Sequence, residues 1–172
     1  QSEKMEELLF GQEIDGKVNP GLFEQAHGGT LFFDEVADLP IGTQAKILRI
    51  LVDQVFFRVG GKNVVRVNCR IISSTSKDLT KEIDDGNFKE ELFHRFNVVP
   101  IRIPSLEDRI LDIPLLSTHF IDWLAKNEGL PNKQLTESAI RKLQNMSWPG
   151  NIRQLKNTIE RALILGASKT VV

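Results

Sequence analysis

The sequence predicts an α/β domain with a parallel sheet, followed by an all-helical subdomain. Three observations predict it. The run Gly28-Gly29-Thr30-Leu31-Phe32-Phe33-Asp34-Glu35 is a short apolar stretch that ends in two adjacent carboxylates. Val67, Cys69 and Ile71 alternate and lead into a polar tip, Ser73-Ser74-Thr75-Ser76. Beyond Pro104 the apolar residues recur at helical spacing. Short apolar runs bounded by turn residues read as buried strands. Open parallel sheets bind ligands outside the C-terminal ends of their strands.

Each element then follows in chain order. Residues 6–10 read as the end of a helix stopped by Gly11. Residues 12–20 are polar and punctuated by Gly16 and Pro20, which predicts a loop. Residues 21–27 form a short helix or turn, and residues 30–34 are the first strand. Residues 40–53 follow as a helix, with Ile41, Ala45, Leu48 and Val52 near helical spacing. Residues 55–59 and 64–67 flank Gly60-Gly61-Lys62-Asn63, a β-hairpin pattern. The next strand runs from Val67 through Thr75. Phe88, Leu92 and Phe96 recur every fourth residue, which predicts an amphipathic helix before a strand at 98–103.

The helical part begins after Ser105, so the chain divides into residues 1–105 and 106–172. Ile113, Leu116, Phe120 and Leu124 form one apolar stripe, ended by Gly129 and Pro131. Thr136 is placed as an N-cap, with Leu135 and Ile140 as a hydrophobic staple. That helix ends near Ser147, before Trp148-Pro149-Gly150. Asn151 then caps a last helix with Gln154 as its capping-box partner, and Ile152, Leu155, Ile159 and Leu163 supply the buried stripe.

Bulk properties narrow the function classes. The 172 residues are 41% hydrophobic and 26% charged, ordinary for a globular chain with a real core. A net charge of −1 carries no basic footprint of the kind that marks a DNA-binding domain. The single cysteine, Cys69, excludes an internal disulfide and is expected to be buried in its strand. No apolar run reaches membrane-spanning length and no secretory signal opens the chain, so a cytoplasmic location and no membrane partner are expected. Gln1-Ser2-Glu3-Lys4-Met5 enters a helical pattern with no strand before it, as a fragment of a longer protein would.

The chemistry concentrates at strand tips. Asp34 and Glu35 suit nucleoside triphosphate hydrolysis: the first acid holds a Mg²⁺ shell and the second orients the attacking water. A surface turn after a strand accommodates the same pair. Ser73 to Ser76 bring hydroxyls to the same rim if the sheet is parallel, and a polar strand end is the plainer explanation. Lys89 and Arg95 lie on one predicted helix, about 240° apart, and either is a cation able to reach a neighbouring subunit's phosphate or simply a solvated charge. Arg153 sits in the first turn of the last helix, where the dipole disfavours a cation, so an anion is expected beside it. His27, His94 and His119 lack metal-ligand spacing.

Together these motifs resemble the AAA+ domain of bacterial enhancer-binding proteins, the activators of sigma-54 RNA polymerase, over nearly the whole chain. Residues 21–27 leading into 28–35 resemble the Walker B element. Arg70-Ile71-Ile72-Ser73-Ser74-Thr75-Ser76-Lys77-Asp78-Leu79 resembles the sensor I strand. Residues 88–98 resemble the arginine-finger helix, and residues 148–155 the sensor II signature. The resemblance implies a partial P-loop AAA+ core with a helical lid, and ATP and Mg²⁺ as cofactors. It implies that Asp34 holds the metal, Glu35 polarises water, and Thr75 and Ser76 sense phosphate. Arg95 and Lys89 would act in trans, and Arg153 would contact nucleotide from the lid. Ala26, His27, Gly28, Gly29 and Thr30 would join Asp34 and Glu35 in the nucleotide-binding segment.

Departures from the pattern matter as much. Ser76 stands where the family usually has Asn, and Lys89 where it usually has Arg; lysine keeps the charge without the bidentate fork. The Gly-rich Walker A loop lies upstream of this sequence in the family, so the chain alone is expected to bind ATP poorly. The family's Gly-Ala-Phe-Thr-Gly-Ala loop has no counterpart in residues 12–22, which hold no aromatic. That absence resembles NtrX-type response regulators of nitrogen metabolism and points away from sigma-54 as a working partner. The expected function is the ATPase module of a two-component transcriptional regulator, using ATP between subunits of a ring, with DNA bound through a domain outside this chain. The alternative is a non-hydrolysing AAA+ scaffold that only self-associates.

Overall fold

The computed structural model describes residues 2–166 and 170–171. The chain forms two compact units, residues 1–100 and 101–172.

The first unit opens with α1 (Ser2–Phe10), then β1 (Gln12–Ile14) and β2 (Lys17–Asn19), paired antiparallel. The expected loop at 12–20 is therefore a hairpin. Asp15 and Gly16 both take positive φ, +49° and +78°, as a two-residue hairpin turn requires. Its base closes where a Cβ on Gly21 would lie 2.2 Å from the Gly11 nitrogen, so only glycine fits. Next come α2 (Leu22–Gln25), β3 (Thr30–Phe33), a 3-10 turn at Val36–Asp38 and α3 (Ile41–Asp53). The hairpin of β4 (Val55–Phe57) and β5 (Val64–Arg66) precedes β6 (Arg70–Ser73), which is shorter than the run 67–75 expected. Then α4 (Leu79–Asp84) and α5 (Glu90–Phe96) complete the unit.

β3 and β6 pair in parallel, Thr30 with Arg70 through Phe33 with Ser73. Strand alternation turns Leu31 and Phe33 inward and leaves Phe32 exposed. The core centres on Phe23, fully buried, whose ring lies 5.9 Å from Phe10 and Phe33 and 6.2 Å from Phe56. Arg58 ties β1 to α2 through a forked pair with Glu24 (2.8 and 2.6 Å) and a bond to Glu13 at 3.0 Å. The Glu24 contact in particular pushes the guanidinium pKa further up.

Several expectations are corrected. In α3 the buried residues are Thr43, Gln44, Ile47 and Ile50, whereas Ile41, Ala45 and Val52 face out. A polar residue carries that buried face, which hid it from a count of apolar side chains. Residues 98–103 form no strand. Val98, Val99, Ile101 and Ile103 are 75–85% exposed, since β-branched residues favour a strand only where a partner supplies hydrogen bonds. Cys69 is half-buried rather than buried, and its burial raises the thiol pKa.

The second unit begins with a 3-10 segment, Glu107–Asp112, followed by α6 (Ile113–Glu128), which ends at left-handed Gly129. β7 (Gln134–Leu135) leads to α7 (Glu137–Gln144), and Thr136 caps α7 by accepting from the Ala139 N–H at 3.2 Å. α7 stops at Gln144, short of Ser147. α8 (Asn151–Leu165) follows, and β8 (Thr170–Val171) pairs with β7, so the unit is not wholly helical. Trp148 anchors the core: it is 1% exposed, and its indole N–H donates to the Leu143 carbonyl at 2.9 Å. Around it pack Leu106, Ile113, Leu124, Leu155 and Ile159. Lys133 is buried and donates to the Leu163 and Gly166 carbonyls, where a cation complements the C-terminal end of α8.

Among the described residues no helix is long and apolar enough to cross a membrane.

Candidate functional site

Parallel pairing brings the C-terminal ends of β3 and β6 to one edge. The ladder runs past the strands: Ser74 N–H donates to Phe33 O at 2.8 Å, and Val36 N–H to Ser74 O at 2.9 Å. Asp34 and Glu35 are thus set directly against the β6 tip. The Ser74 hydroxyl donates to Asp34 Oδ1 at 2.6 Å and accepts from the Glu35 N–H at 3.3 Å. The Glu35 carboxylate accepts from the Ser76 N–H at 2.8 Å through Oε2. Glu35 itself sits in the left-handed region (φ +53°, ψ +59°), a conformation that costs a non-glycine residue about 1 kcal/mol. Strain of this kind persists where surrounding bonds hold it, and functional sites are where it clusters.

Beyond the acids, Lys77 pairs with Asp38 at 2.8 Å and joins the loop after β6 to the 3-10 turn after β3. Asp38 accepts its hydrogen bond and raises the ammonium pKa. Asp34 is exposed, with one oxygen engaged by Ser74. No cluster of three or more His, Cys, Asp or Glu able to hold a metal occurs among the described residues. A lone accessible carboxylate fits Mg²⁺, which keeps several waters and is completed by substrate phosphates rather than by an all-protein cage.

The remaining candidates fall into three places. Thr75 and Ser76 are exposed on the same rim as the acids, and the Thr75 hydroxyl accepts from the Lys77 N–H at 3.1 Å. Ala26, His27, Gly28, Gly29 and Thr30 lie at the opposite end of β3, about 13 Å away by strand rise. There they start the strand. Gly28, at φ +75°, donates to Asn68 O at 2.8 Å, His27 Nδ1 accepts from the Asn68 N–H at 3.2 Å, and Arg70 N–H donates to Gly29 O at 2.9 Å. The structure does not bring these five to the acids.

Of the three cations, one is placed differently from the sequence expectation. Lys89 is the N-cap of α5 in extended conformation, so it does not share a helical rotation with Arg95. Arg95 lies in the last turn, exposed, with no ion pair among the described residues. Arg153 lies in the first turn of α8, in the second unit, exposed, and no carboxylate among the described residues pairs with it. Asn151 does not cap α8. Gly150 does, and the Gly150 N–H donates to Gln154 Oε1 at 2.9 Å, so the Gln half of the capping box is present. Asn151 takes φ +49° and accepts from the Leu106 N–H at 2.7 Å instead.

The sequence brings Ser73 to Ser76 to this rim without singling out Ser74, and it does not mark Gln44, whose amide bonds the backbone of Leu39, Asn87 and Lys89. Which of four consecutive tip residues meets Asp34 depends on strand register, and Gln44 reads from sequence as one more polar residue in a helix.

The model of the sigma-54 interaction domain matches residues 4–102, and that of the AAA+ ATPase lid domain matches residues 107–172. The chain belongs to the sigma-54 interaction domain family. The nitrogen assimilation regulatory protein NtrX of Azorhizobium caulinodans is 50% identical over 95% of this chain and 36% of its own length. The DNA-binding transcriptional regulator NtrC of Klebsiella pneumoniae is 42% identical over 98% of this chain and 37% of its own length. The crystal structure of Brucella abortus NtrX in complex with ADP is 47% identical, with a TM-score of 0.92, over 100% of this chain and 40% of that one. The chain therefore spans little more than a third of the length of the curated relatives it matches. The chain has the AAA+ fold with a lid, and these relatives are a nitrogen assimilation regulatory protein and a DNA-binding transcriptional regulator.

Proposed function

We propose that this chain is the ATP-hydrolysing module of a two-component transcriptional regulator. The observation that carries this reading is the pair Asp34 and Glu35, held at the ligand-facing edge of a parallel sheet by Ser74 and the Ser76 N–H. Brucella abortus NtrX has been crystallised with ADP and with ATP, which supports nucleotide as the ligand of this edge. When bound, Mg²⁺ would neutralise phosphate charge. Asp34 would hold it, through the oxygen that Ser74 leaves free. Glu35 would orient the attacking water, with Thr75 and Ser76 beside the terminal phosphate. Arg95, and Lys89 with a weaker point charge, would reach the nucleotide of a neighbouring copy in a ring. Arg153 would meet phosphate from the lid, which supplies the anion its place on the helix dipole calls for.

A second reading, a self-associating scaffold without turnover, is favoured by the β1–β2 hairpin. Its two-residue turn carries no aromatic with which to engage sigma-54. ATP turnover by the full-length protein separates the two. Glu35→Gln should abolish turnover while nucleotide binding stays within about twofold. Turnover unchanged by the substitution would overturn the role of Glu35, and a wild-type protein that binds ATP without hydrolysing it would establish the scaffold.

A further inference from the structure

Gln44 is fully buried on the inner face of α3, between Thr43 and Ile47. Its amide makes three bonds to backbone. Nε2 donates to Leu39 O at 2.7 Å and to Asn87 O at 2.9 Å, and Oε1 accepts from the Lys89 N–H at 2.9 Å. Two carbonyls and one N–H leave a single orientation of the amide that satisfies them all.

These partners are not scattered. Leu39 ends the 3-10 turn whose N-cap is Glu35. Asn87 and Lys89 flank buried Phe88 at the start of α5, the helix that carries Arg95. α5 has only seven residues and no side chain of its own capping it. A helix this short is not stable in isolation, and tertiary contacts set its direction. Phe96, beside Arg95, packs on Phe33 at 6.2 Å, and Gln44 fixes the other end.

We propose that Gln44 is a positioning residue that aims α5, and so Arg95, at the neighbouring subunit, and that it ties this aim to the backbone leaving the Asp34–Glu35 tip. The inference rests on the hydrolytic reading above, in which Arg95 acts in trans. Gln44 touches no nucleotide in this scheme; it acts through the backbone of Leu39, Asn87 and Lys89.

Subunit mixing in the full-length protein tests it. Gln44→Glu keeps the acceptor for Lys89 and loses both donations, and Gln44→Met keeps the volume and loses all three bonds. Misplacement by about 1 Å costs on the order of a hundredfold in rate, so each variant alone should lose about that much ATP turnover while binding ATP within about twofold of wild type. Mixed with Glu35→Gln protein, which is inactive but brings an intact finger, each should regain turnover, as Arg95→Ala should in a parallel mixture. A purely structural Gln44 would not give this recovery. Full activity of both variants alone would overturn the proposal. So would failure of both to recover, through misfolding or damage to their own site, while Arg95→Ala recovers. Failure of the Arg95→Ala mixture itself would refute the trans reading, and the proposal with it.

Discussion

Asn151 offers the sharpest separation of backbone strain from hydrogen bonding. It opens α8 at φ +49°, and its Oδ1 accepts from the N–H of Leu106, a residue with no exposure. Asn151→Ala removes the acceptor and orphans a buried donor, about 1–3 kcal/mol. It also leaves a Cβ without a local polar contact in the left-handed region, about 1 kcal/mol more. The sum is about 2–4 kcal/mol. Asn151→Gly loses the same bond but adopts the positive φ freely, so it should be less damaging than alanine by about 1 kcal/mol. Asn151→Asp keeps an acceptor at the positive end of α8 and should fall within about 1 kcal/mol of wild type. Both tryptophans of the chain, Trp123 and Trp148, lie in this second unit, so urea unfolding followed by tryptophan fluorescence reports on it. Equal destabilisation by alanine and glycine would show that the left-handed backbone costs nothing there. An aspartate as harmful as alanine would show that the bond to Leu106 is not the source of the effect.

Other outcomes follow from the same geometry. Phe23→Ala should destabilise the first unit by about 3–5 kcal/mol, because a fully buried ring amid Phe10, Phe33 and Phe56 leaves a cavity its neighbours cannot close; circular dichroism against denaturant measures it, with tryptophan fluorescence of the second unit little changed. The Glu107 carboxylate is held below its usual 4.5 by the Trp148 N–H and the Ser147 hydroxyl. A depressed carboxylate stabilises the fold fully above its unfolded value and loses that contribution as pH falls through the folded one. Glu107→Gln should therefore lower the second unit's stability near neutral pH, and the gap from wild type should close in acid; a gap independent of pH would refute it. Arg95→Ala should cut ATP turnover of the full-length protein by about a thousandfold with nucleotide affinity little changed, and a loss confined to affinity would place Arg95 in its own subunit's binding site.

Sequence patterning placed strands and their tips well where burial was apolar. The run ending in Asp34-Glu35 and the hairpin around Gly60-Gly61 lie where period and turn residues place them, and of the stripe Ile152, Leu155, Ile159 and Leu163 the last three are buried while Ile152 is half-buried. It failed where polar residues carry structure. Residues 12–20 hold a hairpin whose two strands are mostly exposed, so no alternation marks them, and the Asp15-Gly16 turn was the only signal. In α3 the aliphatic residues Ile41, Ala45 and Val52 mark the wrong face, because Gln44 is buried for its amide rather than for its carbon. At 98–103 the opposite error arose: β-branched residues read as a strand where no partner strand is present among the described residues.

The site geometry is itself a consequence of core packing. A parallel pair fixes its register by which side chains it buries, and a slip of one residue would send every side chain to the other face. Here Leu31 and Phe33 point into the core, with Ile71 packed beside them, and the pairing of Phe33 with Ser73 follows. That pairing places the Ser74 hydroxyl on Asp34 and the Ser76 N–H on Glu35. Trimming Phe33 to alanine would therefore do more than open a cavity. It would weaken the constraint that holds the two acids against β6, and ATP turnover should fall further than global stability at a temperature where the fold is still intact. Activity that tracks only the folded fraction would show instead that the tip bonds hold the acids without help from the core.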